Sequence, residues 1–401
     1  MKQTYLILAS FFLLGLTSCM EEVEVREKPV TEVTDLKVPA DFSWKMSHDV
    51  LLSVESPVET VVEVFSSEKC EEGSLLGTLQ APIQNIPLSV ADADRELYVR
   101  YTKKDGTKAV MTTGIVTRAS GGLTVKLPEA EGIKEGGEKN YILYYPSREY
   151  GTLLFEDNWP VKGDYDLNDV AAHYTIQLNV EDKEVVAIIV NVKLTALGGS
   201  YPYQLCMRAN NLKHNQVFVE KYETGLSFTP IGTYKVLSSN DEPLLVSFDW
   251  PNLKGSNGGA FYNTEDEHLA SGSLDDHQVS FIIYMEGDEG VEPLSLPHDS
   301  FDFFIKRTDS ELTEIHLKGY APTDLFKDGY AKESQNMGDF YSTKKDNFVW
   351  GVKVPATIAH PKERVSILEA YPLFGSWVTS GGVDNPDWYS HGEKGKCVPL
   401  K

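Results

Sequence analysis

The chain has 401 residues, 41% of them apolar and 11% aromatic, which is enough to bury at least one substantial core. Against 37 basic side chains stand 60 acidic ones, a formal charge of −23. Such a surface repels nucleic acid and anionic headgroups, which removes both as partners, and it is compatible with divalent cations.

Lys2 is the only charge before Glu21, and Leu6–Leu16 is an apolar run. Thr17 and Ser18 then precede Cys19. A positive start, about ten apolar residues and a small-residue exit make a secretory leader, too short to span a bilayer stably. The ending Leu16-Thr17-Ser18-Cys19 resembles a bacterial lipobox, which implies removal of residues 1–18 and acylation (palmitate-type) of Cys19 as the first mature residue. The membrane is then a partner through that lipid alone, since no later segment is apolar enough to cross. Met20-Glu21-Glu22 resembles the surface-export signal of some Gram-negative lipoproteins, implying the outer membrane and its exposed face. Acidic residues also make a well-solvated tether, and 19–38, broken by Pro29, reads as one. Three further cysteines, Cys70, Cys206 and Cys397, form no C-x-x-C motif; they argue neither a disulfide framework nor a cysteine metal site, and whether two of them pair stays open.

From residue 39 the chain alternates. Val50–Val54, Thr60–Phe65 and Leu97–Tyr101 are β-branched and aromatic, separated by turn signals such as Lys104-Asp105-Gly106. They predict a small β-sandwich over 39–122, with the Gly-, Glu- and Lys-rich run 124–137 as its boundary. Strand signals resume at Tyr141–Tyr145, Tyr174–Leu178 and Glu184–Val192, then at Leu244–Phe248, Val279–Tyr284 and Phe301–Ile305. The one good helical spacing is Lys362–Trp377, which Pro372 should kink or end. The expected architecture is mainly β: an N-terminal β-sandwich followed by a larger sandwich- or jelly-roll-like β-rich domain over 140–395, with few short helices. No fixed-period repeat supports a solenoid or propeller.

The densest chemistry lies at 155–170. Glu156, Asp157, Asp164, Asp166, Asn168 and Asp169 put six potential oxygen donors within fourteen residues, with Gly163 allowing a sharp turn into them. Calcium takes six to eight hard oxygens, and a D-x-D-x-N spacing aims alternate side chains at one point. Without a cation these carboxylates repel one another. The spacing departs from an EF-hand, which would need Gly where Asp169 stands and Glu where Thr175 stands, and helices on both sides. The competing reading is a solvated acidic turn whose side chains bond local backbone. The expected site is therefore a structural calcium ion on Asp164, Asp166, Asn168 and Asp169, with Glu156 and Asp157 as further partners.

Phe155-Glu156-Asp157-x-Trp159-Pro160-x-x-Gly163-Asp164-Tyr165-Asp166-x-Asn168-Asp169 resembles the hallmark of the LruC-domain family of bacterial lipoproteins. Further along, Glu314–Thr323, Trp350, Pro355, Ala370–Gly382 and Asp387-Trp388-Tyr389 extend the resemblance over about 145–390. It implies an outer-envelope lipoprotein with a domain of unknown function, and transfers no catalytic residue.

Enzymatic signals are absent from the sequence. Nine histidines are scattered without an H-E-x-x-H pair, and there is no G-x-S-x-G elbow. A surface binding or adhesion module, taking a glycan or a host or cell-surface protein, is the expectation; a glycan-binding accessory protein or glycan-active hydrolase is the alternative. Trp350, Trp377, Trp388 and Tyr389 discriminate, because exposed on one concave face they would stack on sugars and buried they are core.

Overall fold

The computed structural model describes residues 32–115, 122–129, 132–137, 139–222, 231–250, 253, 261–287, 290–309 and 311–400. The expected leader, Cys19 and most of the tether lie outside these residues. The N-terminal part contributes β1 (Ser47–Glu55), β2 (Thr60–Phe65), β3 (Leu75–Ala81), β4 (Ile83–Ala91), β5 (Glu96–Thr102), β6 (Lys108–Gly114) and β7 (Leu123–Lys126). The remainder supplies β8 (Tyr141–Tyr145), β9 (Gly151–Phe155), β10 (Val170–Glu181), β11 (Glu184–Leu197), β12 (Tyr203–Lys213), β13 (Val217–Lys221), β14 (Thr233–Val236) and β15 (Pro243–Asp249). It continues through β16 (Gln278–Met285), β17 (Phe301–Arg307), β18 (Glu314–His316), β19 (Met337–Asp339), β20 (Ser342–Thr343) and β21 (Gly351–Val354). The helices α1 (Lys327–Glu333), α2 (Ile367–Ala370) and α3 (Phe374–Thr379) are short. The protein is mainly β, with a sandwich-type arrangement.

One eleven-stranded sheet runs β13-β16-β11-β10-β8-β3-β2-β5-β6, with β9 and β21 continuing from β10. The segments 39–122 and 140–395 meet inside it, where Gly77 and Thr78 of β3 pair with Leu143 and Ile142 of β8. A five-stranded sheet (β14-β15-β12-β17-β18) and a three-stranded sheet (β4-β1-β7) contribute to the same buried cluster. Alternation in β10 shows why: Tyr174, Ile176 and Leu178 are fully buried, and Tyr174 meets Phe303 of the five-stranded sheet with centroids 5.0 Å apart. Three residues of the run expected to be a boundary, Thr124–Lys126, belong instead to β7 and pair in parallel with β1. Leu123 and Val125 point inward there, and that burial outweighs the polar composition around them.

A second core caps one end of the sandwich. Ser366 caps α2, its hydroxyl accepting from Leu368 N at 3.3 Å; α2 stops at Ala370 and α3 starts at Phe374, so the expected helix over 362–377 is two pieces on either side of Pro372. Their apolar faces enclose Trp388, which meets Phe374 and Tyr371 edge-on at 4.9 and 5.2 Å. Phe42 and Trp44 from the N-terminal side close over Trp377 at 5.0 and 5.9 Å. Val33 and Leu36, expected in a solvated tether, are buried in this cluster.

Candidate metal centre

The acidic run is the connection from β9 to β10, two strands that pair with each other directly. Its entrance is fixed because Glu156 N donates to Trp350 O at 2.8 Å and Trp159 stacks on Tyr330 at 5.4 Å. Beyond Gly163, Tyr165 and Leu167 are buried in the cap core, and both adopt left-handed backbone, φ 61° and 56°. Bulky residues rarely hold that conformation, so the apolar anchoring on one side sustains a strained loop whose alternate positions are Asp164, Asp166 and Asn168.

Three of the six expected residues converge. One carboxylate oxygen each from Glu156, Asp164 and Asp166 lie within 4.8 Å of one another, and among the described residues no other such group of His, Cys, Asp or Glu forms. Glu156 has no exposed surface; its Oε1 accepts from Leu167 N at 2.6 Å, while Oε2 is buried without a hydrogen-bond partner. Gly163 is required by this approach, since a Cβ there would lie 2.1 Å from Oε2. Asp166 is also buried, accepting from Arg364 N at 2.7 Å and Asn168 N at 3.3 Å. Asp164 is exposed at the mouth.

Electrostatics follow from this crowding. Burial first, and then Asp166, push the Glu156 carboxyl well above its ordinary range. Burial, Asp164 and Glu363 push Asp166 up to about 8. Proton uptake is one way to relieve such a cluster and a cation is the other. The donor set fits a hard ion, because the orphaned Glu156 Oε2 lacks a donor and every group in the triad offers oxygen. These three carboxylates can hold a metal ion.

Asp157 and Asp169 are engaged by backbone amides, and Asn168 is engaged through its amide nitrogen alone. Asp157 N donates to Asp169 Oδ2 at 2.7 Å, and Asp157 Oδ2 accepts from Tyr201 N at 3.2 Å. Gly199 makes that contact possible, as a Cβ on it would fall 2.2 Å from Asp157 Oδ2. Both carboxyls are raised, each chiefly by burial. Asn168 donates through Nδ2 to Pro361 O at 3.3 Å, and its Oδ1 is buried without a partner. Sequence reasoning missed Glu363. Burial and then Asp164 hold its carboxyl at about 7, but nothing local in Lys362-Glu363-Arg364 announces a site nearly two hundred positions from the loop.

The aromatic residues that could have stacked on sugars are interior: Trp350, Trp377 and Trp388 are at most 1% exposed and Tyr389 is 8% exposed. Cys70, Cys206 and Cys397 are free thiols. Among the described residues no helix is long and apolar enough to cross a membrane.

The family described as Domain of unknown function (DUF4842) matches residues 183–389, just over half of the chain. Glu363 falls inside that span and the β9–β10 loop before it. A crystal structure from Bacteroides ovatus, of a protein carrying the name "putative lipoprotein", covers 85% of this chain and 100% of its own, with 21% identity and a TM-score of 0.66. At that identity the likeness is one of fold. The major pilin subunit of Bacillus cereus overlaps 67% of this chain and 66% of its own at 12% identity and a TM-score of 0.13, too low to carry an argument. No curated protein matches.

Proposed function

This chain belongs to the DUF4842 family, whose function is unknown, and on that premise we propose a lipid-anchored cell-envelope protein whose β-sandwich is stiffened by a structural calcium ion. The reading makes it a surface binding or adhesion module of LruC-like type, held through Cys19 in the outer membrane, and assigns it no catalytic residue. One observation carries the metal: the convergence of Glu156, Asp164 and Asp166, with a buried oxygen left unpartnered. Calcium is preferred because the donors are all oxygens set on an irregular loop, which suits its flexible coordination better than the strict octahedron of magnesium or the nitrogen and sulfur ligands of zinc. The lipobox-like ending at Cys19 supports the anchor, and the name of the Bacteroides ovatus protein agrees with it. An aromatic sugar-stacking platform is not favoured, since its Trp residues are spent on the core.

Thermal denaturation tests the ion. At calcium a hundredfold above Kd, binding to the native state alone contributes about 2.7 kcal/mol, a rise of about 3 °C over the chelated sample for a chain of this length. Identical melting with calcium and chelator would refute the metal. Acyl labelling of cells tests the anchor, with label expected on the wild type and lost in Cys19→Ala; label retained by that variant rules the anchor out.

A further inference from the structure

The segment leading into the cap brings another carboxylate to the acidic loop. Residues 361–367 run beside it: Asn168 Nδ2 donates to Pro361 O, Arg364 N donates to Asp166 Oδ2 at 2.7 Å, and Ile367 N donates to Tyr165 O at 3.0 Å. Glu363 stands between these contacts, its position fixed by its own amide, which donates to Thr264 O at 3.0 Å. Its side chain is only 12% exposed, and Oε2 is buried without a hydrogen-bond partner. The adjacent Arg364 guanidinium reaches Oε1 at 3.9 Å but is 74% exposed, a weak counter-charge. Glu156 and Glu363 therefore each present a buried oxygen lacking a donor, and because Glu363 stands outside the 4.8 Å convergence of the triad, its side chain must turn toward Asp166 to share an ion. Buried carboxylate oxygens are ordinarily satisfied, and a shared cation satisfies both at once.

We propose that Glu363 is a fourth protein ligand of the divalent cation held by Glu156, Asp164 and Asp166, so that the ion fastens the β9–β10 loop to the segment entering α2. This rests on the metal reading of the loop. Four carboxylates from two distant stretches give a site selective for a large, highly coordinated cation of the calcium class, with the terbium ion as a luminescent analogue. Occupancy then reports on the cap, because α2 and α3 follow directly from Glu363 and carry the Trp377–Trp388 core.

The test uses the full chain carrying Cys19→Ala, so that no lipid is attached, with and without Glu363→Gln. Calorimetric titration with calcium should show affinity at least tenfold weaker in the Glu363→Gln protein. Hydrogen exchange should show calcium protecting amides of 361–379 as well as 156–169 in the parent, with the 361–379 protection lost in the variant. Equal calcium affinity, or protection confined to 156–169 in the parent, overturns the role of Glu363 and leaves the loop site standing. A parent protein that binds no calcium overturns the metal reading and this inference with it. If Glu363→Gln does not fold, Glu363→Asp keeps the charge but withdraws the oxygens by one methylene; it should weaken binding likewise, and parental affinity in it overturns the proposal.

Discussion

Gly163→Ala probes the loop at its most confined point. The added methyl would lie 2.1 Å from Glu156 Oε2 and 3.2 Å from Asn158 Nδ2. An exposed glutamate would swing aside, but this one is fully buried and its second oxygen is held by Leu167 N at 2.6 Å. Making room therefore breaks that bond and strands a buried amide, a cost of about 1–3 kcal/mol. The same displacement pulls Glu156 away from Asp164 and Asp166, so the calcium-dependent gain in stability should disappear as well. Urea denaturation with millimolar calcium and with chelator reads both effects. Gly114→Ala is the control, because nothing lies within 4 Å of a Cβ there and its backbone needs no glycine. A Gly163→Ala protein with parental stability and a parental calcium response would show that the carboxylate is free to move, and the account of the loop would fail.

Asp164→Asn should leave the calcium-free protein as stable as the parent or slightly more so, since it removes a like charge from an exposed position, while weakening the calcium-induced rise in melting temperature; a full calcium response would remove Asp164 from the site. Trp388→Ala should cost about 3–5 kcal/mol in urea denaturation, because the ring is wholly buried among Tyr371, Phe374, Trp377 and Tyr389, and a loss under about 1 kcal/mol would contradict that packing. His316 is buried between Asp302 Oδ2 at 2.8 Å and Glu314 Oε2 at 3.3 Å; burial lowers its pKa, but Asp302 and Glu314 outweigh burial and hold it above the ordinary 6.5. Its charged form therefore contributes stability that is fully present below pH 6.5 and lost as pH rises through the folded value. His316→Gln should flatten stability against pH above that point, and an unchanged profile would refute the assignment.

Much of the fold was legible because strands with one buried face announce themselves by alternation, as Tyr174–Leu178 does, and because Pro372 cannot sit inside a helix. Long-range pairing left no such trace. Nothing in Gly77-Thr78 foretells its partner in β8, and Val33 and Leu36 look like tether until the cap is seen to cover them. The acidic loop shows the same division. Spacing alone placed the oxygens in one neighbourhood, but which of them meet depends on backbone groups supplied from elsewhere: Tyr201 N donates to Asp157, Pro361 O accepts from the Asn168 amide, and the loop's own apolar residues orient Asp164 and Asp166. Glu363 was invisible because tertiary structure alone brings it there.

The shared eleven-stranded sheet also constrains the order in which the molecule can be completed. Synthesis delivers β2 and β3 first, yet the neighbour that covers the free flank of β3 is β8, and β9 waits for β21, close to the end of the chain. Until those late strands emerge, hydrogen-bonding edges rich in valine and leucine stay open to any passing strand. Closure governed by such distant partners is slow, and newly made copies at high concentration face association in competition with folding.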